Sequence, residues 1–226
     1  MLAKPYIRTA GWLYIIIAVF GAFSIGYVPT LIITAGNAAA TLKALQANMG
    51  LYQLGVLGDI IVLLCELVLT IMLYQIFRPA SQTLARIATS ARLAMVGVMA
   101  VNIMLGVMPL YVLSLTAPQP EIVLALLEAK QIGVYVWQLF FSLHLLAIGT
   151  MILRFNLLPR LLGWMMGVGA FGYLFDGIVK LTYVENTALS YLIIGLLVLV
   201  TLGELAFAIW LIFKGAVKRV EFSPQT

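Results

Sequence analysis

Charged side chains are scarce in this chain of 226 residues, of which only 9% are Asp, Glu, Lys or Arg and 64% are hydrophobic. Soluble domains carry about 25% charged residues, so the composition excludes an ordinary soluble domain. Cysteine occurs once, at Cys65, which excludes an internal disulfide. No serine-nucleophile motif or phosphate-binding glycine loop stands in a suitable context. The sequence therefore indicates an integral membrane protein without a recognised catalytic motif.

Long apolar runs take the place of charge. A helix needs about 20 residues to cross the hydrocarbon of a bilayer. Runs of that length predict an all-α, polytopic membrane protein, a bundle of about six transmembrane helices that forms a single domain, 1–226. Connections 35–50 and 116–131 show helical spacing of apolar residues, and they predict two short interfacial helices on the outer side, either cavity caps or plain connectors. The predicted spans are 10–33, 52–77, 88–115, 132–153, 159–183 and 189–213.

Basic residues are distributed unevenly between the two sides of the predicted bundle. Cytoplasmic loops keep an excess of Lys and Arg, so the richer side indicates the cytoplasm, and an even number of spans places both termini there. This topology accounts for the net charge of +5. Nothing indicates nucleic-acid binding, and the expected partner is the lipid bilayer. The ten residues of the predicted cytoplasmic side are Lys4, Arg8, Arg78, Arg86, Arg92, Arg154, Arg160, Lys214, Lys218 and Arg219, which leaves Lys43, Lys130 and Lys180 for the other side.

Three spans each contain one ionisable residue that lies ten to twelve positions before a basic residue at the end of the span. A rise of about 1.5 Å per residue places all three roughly 15 to 18 Å deep, near the middle of the bilayer. Ionisable groups at that depth cost free energy and usually mark a functional site. The pairs are Glu66 with Arg78, His144 with Arg154, and Glu204 with Lys214.

A second polar group lies nearer the predicted outer interface and indicates a path that opens outward. Asp59, Gln138 and Asp176 lie about 24 to 29 Å from the basic ends of their spans. Asn102 lies near the middle of its span, as an interhelical hydrogen-bonding group or a ligand contact. Asp176 either contributes to the path or forms a local ion pair with Lys180, four positions later.

Other residues allow two interpretations each. His144 either joins the buried acids or is a neutral packing residue. Arg92 either snorkels from the end of its span to the headgroups or pairs with an acid such as Glu204. Gly163 and Gly167 form a G-x-x-x-G pair, which permits close backbone approach to a neighbouring helix.

Short runs spread over nearly the whole chain resemble one known family, the prokaryotic integral membrane proteins grouped as domain of unknown function 4386. The resemblance implies a compact multi-span bundle in a bacterial or archaeal inner membrane. It implies no activity, cofactor or catalytic residue. The runs are Ala10-Gly11-Trp12-Leu13-Tyr14, Gly58-Asp59, Cys65-Glu66, Arg78-Pro79, Leu143-His144, Leu158-Pro159-Arg160, Leu162-Gly163, Tyr173-Leu174-Phe175-Asp176 and Gly203-Glu204-Leu205.

Three functions are consistent with a buried polar layer. The first is binding or transport of a proton, cation or small ligand by the buried acids, in which a homodimer would offset the small number of spans. The second is an intramembrane hydrolase of lipid-like substrates with a divalent metal on Glu66, His144 and Glu204, and Asp59 or Asp176 as general base. The third is a structural or regulatory role in which the acids hold helix packing. The sequence favours a non-enzyme and names no ligand.

Overall fold

The structure, a computed structural model, describes residues 3–184 and 186–215, so Lys218 and Arg219 lie outside the described residues. The described chain forms seven helices, six of them long and apolar enough to cross a membrane, which confirms an all-α, polytopic membrane protein. The helices are α1 (Lys4–Ile32, with a π-helical stretch at Ala22–Tyr27), α2 (Ala38–Ala47), α3 (Met49–Phe77), α4 (Gln82–Leu113), α5 (Pro120–Phe155), α6 (Arg160–Thr182) and α7 (Thr187–Lys214).

The start of α4 is set by a polar cap rather than by hydropathy. The side-chain oxygen of Ser81 accepts a hydrogen bond from the Leu84 amide at 3.4 Å, which satisfies one of the free amides of the first turn. The helix therefore begins at Gln82 and not at the predicted 88. Because of this earlier start, Arg92 lies about three turns inside the helix and not at its end.

The connection before α5 contains no separate interfacial helix, and the prediction for 116–131 is wrong in this respect. Residues Pro120–Phe155 form one helix of 36 residues, about 54 Å long at about 1.5 Å per residue. The helix is continuous because no proline or glycine interrupts the sequence between Glu121 and Gln131. Lys130 therefore lies on a long helix that continues into the bundle. The helix predicted in the first connection is present as α2.

The six long helices form a closed ring. Each helix packs against the next one along the chain, apart from α2, and α7 closes the ring by packing against α1. Long helices that follow one another along the chain run in opposite directions, because each connection begins and ends at the same end of the ring, and with six long helices α7 also runs opposite to α1. One end of the ring, which we call the basic end, carries the starts of α1, α4 and α6 and the ends of α3, α5 and α7. It includes Lys4, Arg8, Arg78, Arg154, Arg160 and Lys214.

An apolar cluster holds α2 against the opposite end of the ring. Leu45 of α2 is buried in this cluster with Val123 and Leu127 of α5 and with Val28 and Tyr52 of α1 and α3. The Tyr52 hydroxyl donates a hydrogen bond to the Gly106 carbonyl of α4 at 2.7 Å. Helix α2 thus lies beside the starts of α3 and α5 and connects elements on both sides of the ring.

The predicted close approach at Gly163 and Gly167 is present between α5 and α6. A Cβ atom placed on Gly149 of α5 would lie 2.9 Å from the Gly163 carbonyl oxygen and 2.8 Å from the Gly167 nitrogen. The two backbones therefore touch at these glycines. This contact holds α5, which carries His144, closely against α6.

Candidate functional site

Arg92 lies at the same depth as the three predicted middle residues. It follows the start of α4 at Gln82 by ten residues, while Glu66 and His144 precede the ends of their helices by eleven and Glu204 precedes Lys214 by ten. These separations correspond to about 15 to 17 Å from the basic end. The layer predicted from three residues therefore contains a fourth, a cation.

The Arg92 guanidinium is completely buried and binds three side chains. Its Nε donates to Glu66 Oε2 at 2.7 Å, and its Nη1 donates to the Tyr14 hydroxyl at 3.0 Å and to His144 Nε2 at 2.9 Å. Of the two interpretations of Arg92 from the sequence, snorkelling is wrong and the ion pair with a buried acid is confirmed, although the acid is Glu66 and not the example named, Glu204. The reason is its position inside α4, too far from either end to reach the headgroups.

The contacts of His144 define its tautomer. An arginine side chain can only donate, so His144 Nε2 must accept from Arg92 and carries no proton. The other ring nitrogen, Nδ1, lies 2.9 Å from the Ala88 carbonyl oxygen and donates to it. The ring also stacks on Phe141, with centroids 5.8 Å apart. Both alternatives for His144 therefore apply in part, because it is neutral and packed and also contacts the buried ion pair.

Aromatic rings enclose the guanidinium. The Arg92 Cζ atom lies 5.0 Å from the Tyr14 ring centroid and 5.4 Å from that of Phe141, within the range of cation–π attraction. Phe141 also contacts Tyr173 of α6 at 5.2 Å between centroids. This packing supplies attractive contacts to a cation that has been removed from water.

Glu204 is the second acid of the layer, and it has no cation bonded to it in the described structure. Its Oε2 accepts a hydrogen bond from the Tyr173 hydroxyl at 3.2 Å. Glu204 lies at the same depth as Arg92 and Glu66, since it precedes the end of α7 at Lys214 by ten residues. We call these groups the central site, to which each of the six long helices contributes one residue: Tyr14, Glu66, Arg92, His144, Tyr173 and Glu204.

The metal-ligand set expected from the sequence is not assembled. Among the residues that the structure describes, no group of three His, Cys, Asp or Glu side chains could hold a metal ion. The Nε2 atom of His144, which would be its ligand atom, accepts from Arg92, and the same cation binds Glu66. A guanidinium therefore lies where the hypothesis of a divalent metal required a common ion for Glu66, His144 and Glu204.

The outer polar residues do not all come together. Asp59 accepts from Lys130 Nζ at 2.6 Å, and both side chains are largely buried. Asp176 and Lys180 form no ion pair, since the two ion pairs between described residues are Arg92–Glu66 and Lys130–Asp59. Gln138 is buried, with no described partner for its Oε1 atom. Of the predicted outer acids, only Asp59 lies in a polar contact that crosses the ring.

Two adjoining cavities, which we call the outer cleft, surround this ion pair in the half of the ring away from the basic end. Asn102 lies in the cleft and packs directly on the backbone of Gly133, where a Cβ atom would overlap it. Trp137 lines the cleft and contacts Phe141 of the central site, with ring centroids 6.0 Å apart. The lining of the outer cleft includes Ser24, Asp59, Met99, Asn102, Ile103, Lys130 and Trp137.

Comparison with known proteins assigns the chain to a family. The family described as Domain of unknown function (DUF4386) matches residues 9–215, nearly the whole chain. The chain belongs to this family. No curated protein and no solved structure matches it. The resemblance seen in the sequence is thereby confirmed, and the central site of this family member lies entirely within the matched range.

Lys130 was not predicted to belong to a site, and Arg92 was predicted to pair with a buried acid only as one of two alternatives; each had a signal in the sequence. Arg92 stands among apolar residues, eleven positions after Ser81. If Ser81 had been recognised as the N-cap of the helix, the distance from the cap would have placed Arg92 near the middle of the membrane. An ionised acid at that depth also needs a counter-charge, which a nearby arginine can supply. Lys130 lies 71 positions from its partner Asp59, and only the uninterrupted helical sequence after Pro120 indicated that it continues into the bundle.

Proposed function

We propose that this protein is a proton-coupled binding or transport protein for a small ligand or ion, in the cytoplasmic membrane of a prokaryote with both termini in the cytoplasm. The observation that carries the proposal is the position of Arg92, one buried cation in a layer with two acids, of which it bonds Glu66 while Glu204 bonds Tyr173. A layer with two carboxyl groups and one guanidinium is neutral when one carboxyl group holds a proton. Proton exchange at this layer is the chemistry that such an arrangement favours.

The two acids suggest two states of equal charge. In the first, Glu66 is ionised and paired with Arg92, and Glu204 is protonated. In the second, Glu66 holds the proton, Glu204 is ionised, and the guanidinium turns toward it. Arg92 Nη2 has no described partner and is free to make the new contact. If Glu204 releases its proton to one side while Glu66 takes one from the other, that switch moves one proton across the layer, and transfer of the proton from Glu66 to Glu204 restores the first state.

The outer cleft supports a path between this layer and the side opposite the basic end. Trp137 is shared by both sites, since it lines the cleft and touches Phe141, which lies against Arg92. A ligand in the cleft would thus act on the rings that hold the guanidinium. The excess of Lys and Arg at the basic end supports a cytoplasmic location for that end.

A structural role is the second candidate, and one observation favours it. Arg92 joins α1, α3 and α5 to α4 through three contacts of 2.7 to 3.0 Å, which would fix the order of helices in the ring. In this role the protonation of Glu204 has no consequence. The two candidates therefore differ in what they predict for Glu204 and not in what they predict for Arg92.

Infrared difference spectroscopy of the protein in lipid bilayers tests the proposal. Between mildly alkaline and mildly acidic pH we expect a protonated-carboxyl band that is absent from Glu204→Gln. The band should persist in Asp176→Asn, a matched control outside the central site. If the wild type shows no such band, or if Glu204→Gln keeps it, proton exchange at Glu204 is ruled out and the structural role is favoured.

A further inference from the structure

The outer cleft has the features of a built binding site beyond the central site. The π-helical stretch Ala22–Tyr27 of α1 borders it, and π-bulges often occur at functional sites. Ser24, within this stretch, is 1% exposed and lines the cleft, and its hydroxyl has no described hydrogen-bond partner. An unpaired buried hydroxyl costs free energy unless a partner arrives. The wall of the cleft thus presents a polar group to a ligand.

The ion pair in the cleft limits which ligands can enter. Asp59 and Lys130 are only 10% and 14% exposed, so each charge depends on the other. A cationic ligand on Asp59 would leave the Lys130 ammonium unpaired and close to a like charge. An anionic ligand on Lys130 would leave the Asp59 carboxylate in the same condition. Leaving one partner of a buried pair without a counter-charge is strongly unfavourable.

We propose that the outer cleft binds a small zwitterion with a primary ammonium group and an acidic group a few bonds apart, joined to an apolar body. The ammonium replaces Lys130 on Asp59, and the acidic group replaces Asp59 on Lys130, so that both protein charges stay paired. Asn102 lies beside this exchange and can hydrogen-bond either group. This inference rests on the proposed function and names the ligand class that would enter from the outer side.

The body of such a ligand must displace the apolar side chains at the inner end of the cleft, because each of the two cavities has only about 20 Å³ of space, room for about one water molecule. Met99 and Ile103 of α4 and Trp137 of α5 line the side that leads toward the central site. Met is flexible and fills gaps of irregular shape, and Trp offers a large apolar face. Free amino acids with aliphatic side chains have this chemistry. So does phosphatidylethanolamine, whose headgroup joins an ammonium to a phosphate.

Matched probes test the inference with the full chain in phosphatidylcholine nanodiscs. The probes are L-leucine, isopentylamine, which lacks the carboxylate, and isocaproate, which lacks the ammonium. We expect calorimetry to detect binding of L-leucine alone. Asp59→Asn and Lys130→Gln should each weaken it by at least about tenfold, because each removes a charge-assisted hydrogen bond. Asp176→Asn and Lys180→Gln are the controls and should leave binding unchanged.

A lipid source is distinguished by changing the nanodisc. If phosphatidylethanolamine raises the melting temperature relative to phosphatidylcholine and prevents leucine binding, with both effects lost in Asp59→Asn, the lipid headgroup is the occupant. Should a single variant fold poorly, Asp59→Leu with Lys130→Met removes both charges together, and this double variant should bind neither zwitterion. Its folding is checked by gel filtration and circular dichroism.

Three outcomes would overturn the inference. The first is binding of isopentylamine or isocaproate as tightly as leucine, and the second is leucine binding that survives the loss of both charges. The third is no effect of either leucine or phosphatidylethanolamine on the wild type. If the binding experiments fail but the infrared band of Glu204 is present, only the proposed zwitterionic ligand is rejected. If leucine binds but the infrared band is absent, the proposed proton coupling is rejected instead.

Discussion

Replacing Arg92 by methionine is expected to lower the free energy of unfolding by about 3 to 5 kcal/mol, measured by unfolding of the purified protein in mixed micelles. Methionine keeps much of the volume but removes the cation. The buried Glu66 carboxylate then has no counter-charge, and the Tyr14 oxygen and His144 Nε2 lose their donor. The matched control is Arg86→Met on the same helix. Arg86 is exposed, so its replacement should change stability by less than about 0.5 kcal/mol.

A second variant separates lost charge balance from lost volume. Adding Glu66→Gln to Arg92→Met removes the unpaired carboxylate, and the double variant should regain at least about 2 kcal/mol. Equal instability of the single and double variants would show that the two residues are not energetically coupled. That outcome would contradict the buried ion pair as described.

Gly149→Ala is expected to lower the free energy of unfolding by about 1 to 3 kcal/mol, because the added methyl group has no space. Its Cβ atom would lie 2.8 to 2.9 Å from backbone atoms of Gly163 and Gly167, and backbone cannot turn aside as a flexible side chain can. Helices α5 and α6 must then separate, which also displaces His144. The measurement is the same unfolding titration, with the infrared band of Glu204 as a second observable.

The control for this substitution is Gly97→Ala on α4, where an added Cβ atom meets nothing within 4 Å. Alanine favours helix over glycine, so this variant should be unchanged or more stable by up to about 1 kcal/mol. If both variants behave alike, the close contact between α5 and α6 is not as the structure describes it.

The span count and the depth of the buried residues were predictable because both follow from helix geometry. The rise per residue relates the distance along the chain to depth, so Glu66, His144 and Glu204 could be placed in one layer from their basic neighbours. Asp59, Glu66 and Thr70 follow one another at spacings of seven and four, which places them on one face of α3, and all three are buried. Glycine spacing predicted a close helix contact but not its partner, Gly149.

The pairings across the ring could not be predicted. Hydropathy placed the start of the third span at 88 because Ser81, Gln82 and Arg86 are polar, and this late start left Arg92 at an apparent helix end. Hydropathy likewise assigned Lys130 to a surface connector. In both cases the helix continues past the apolar region, because local caps and an uninterrupted sequence determine its bounds. The depth of a residue does not determine which helices are neighbours, because that depends on how the helices pack.

The metal hypothesis shows the same limitation. Shared depth suggested that Glu66, His144 and Glu204 could bind one ion, yet depth says nothing of what lies between them. The structure has a guanidinium in that position. Because Arg92 can only donate, it converts the histidine into an acceptor and one acid into its ion-pair partner.

If Arg92 organises the buried layer into a single site, the one histidine of the chain reports that contact directly. Solid-state NMR of isotope-labelled protein in lipid bilayers would report both ring nitrogens of His144. At neutral pH we expect a protonated Nδ1 and an unprotonated Nε2 on His144, with a through-space correlation from Nε2 to the Arg92 nitrogen Nη1, which lies 2.9 Å away. A protonated Nε2, or the absence of any arginine correlation, would contradict the organisation of this layer by Arg92.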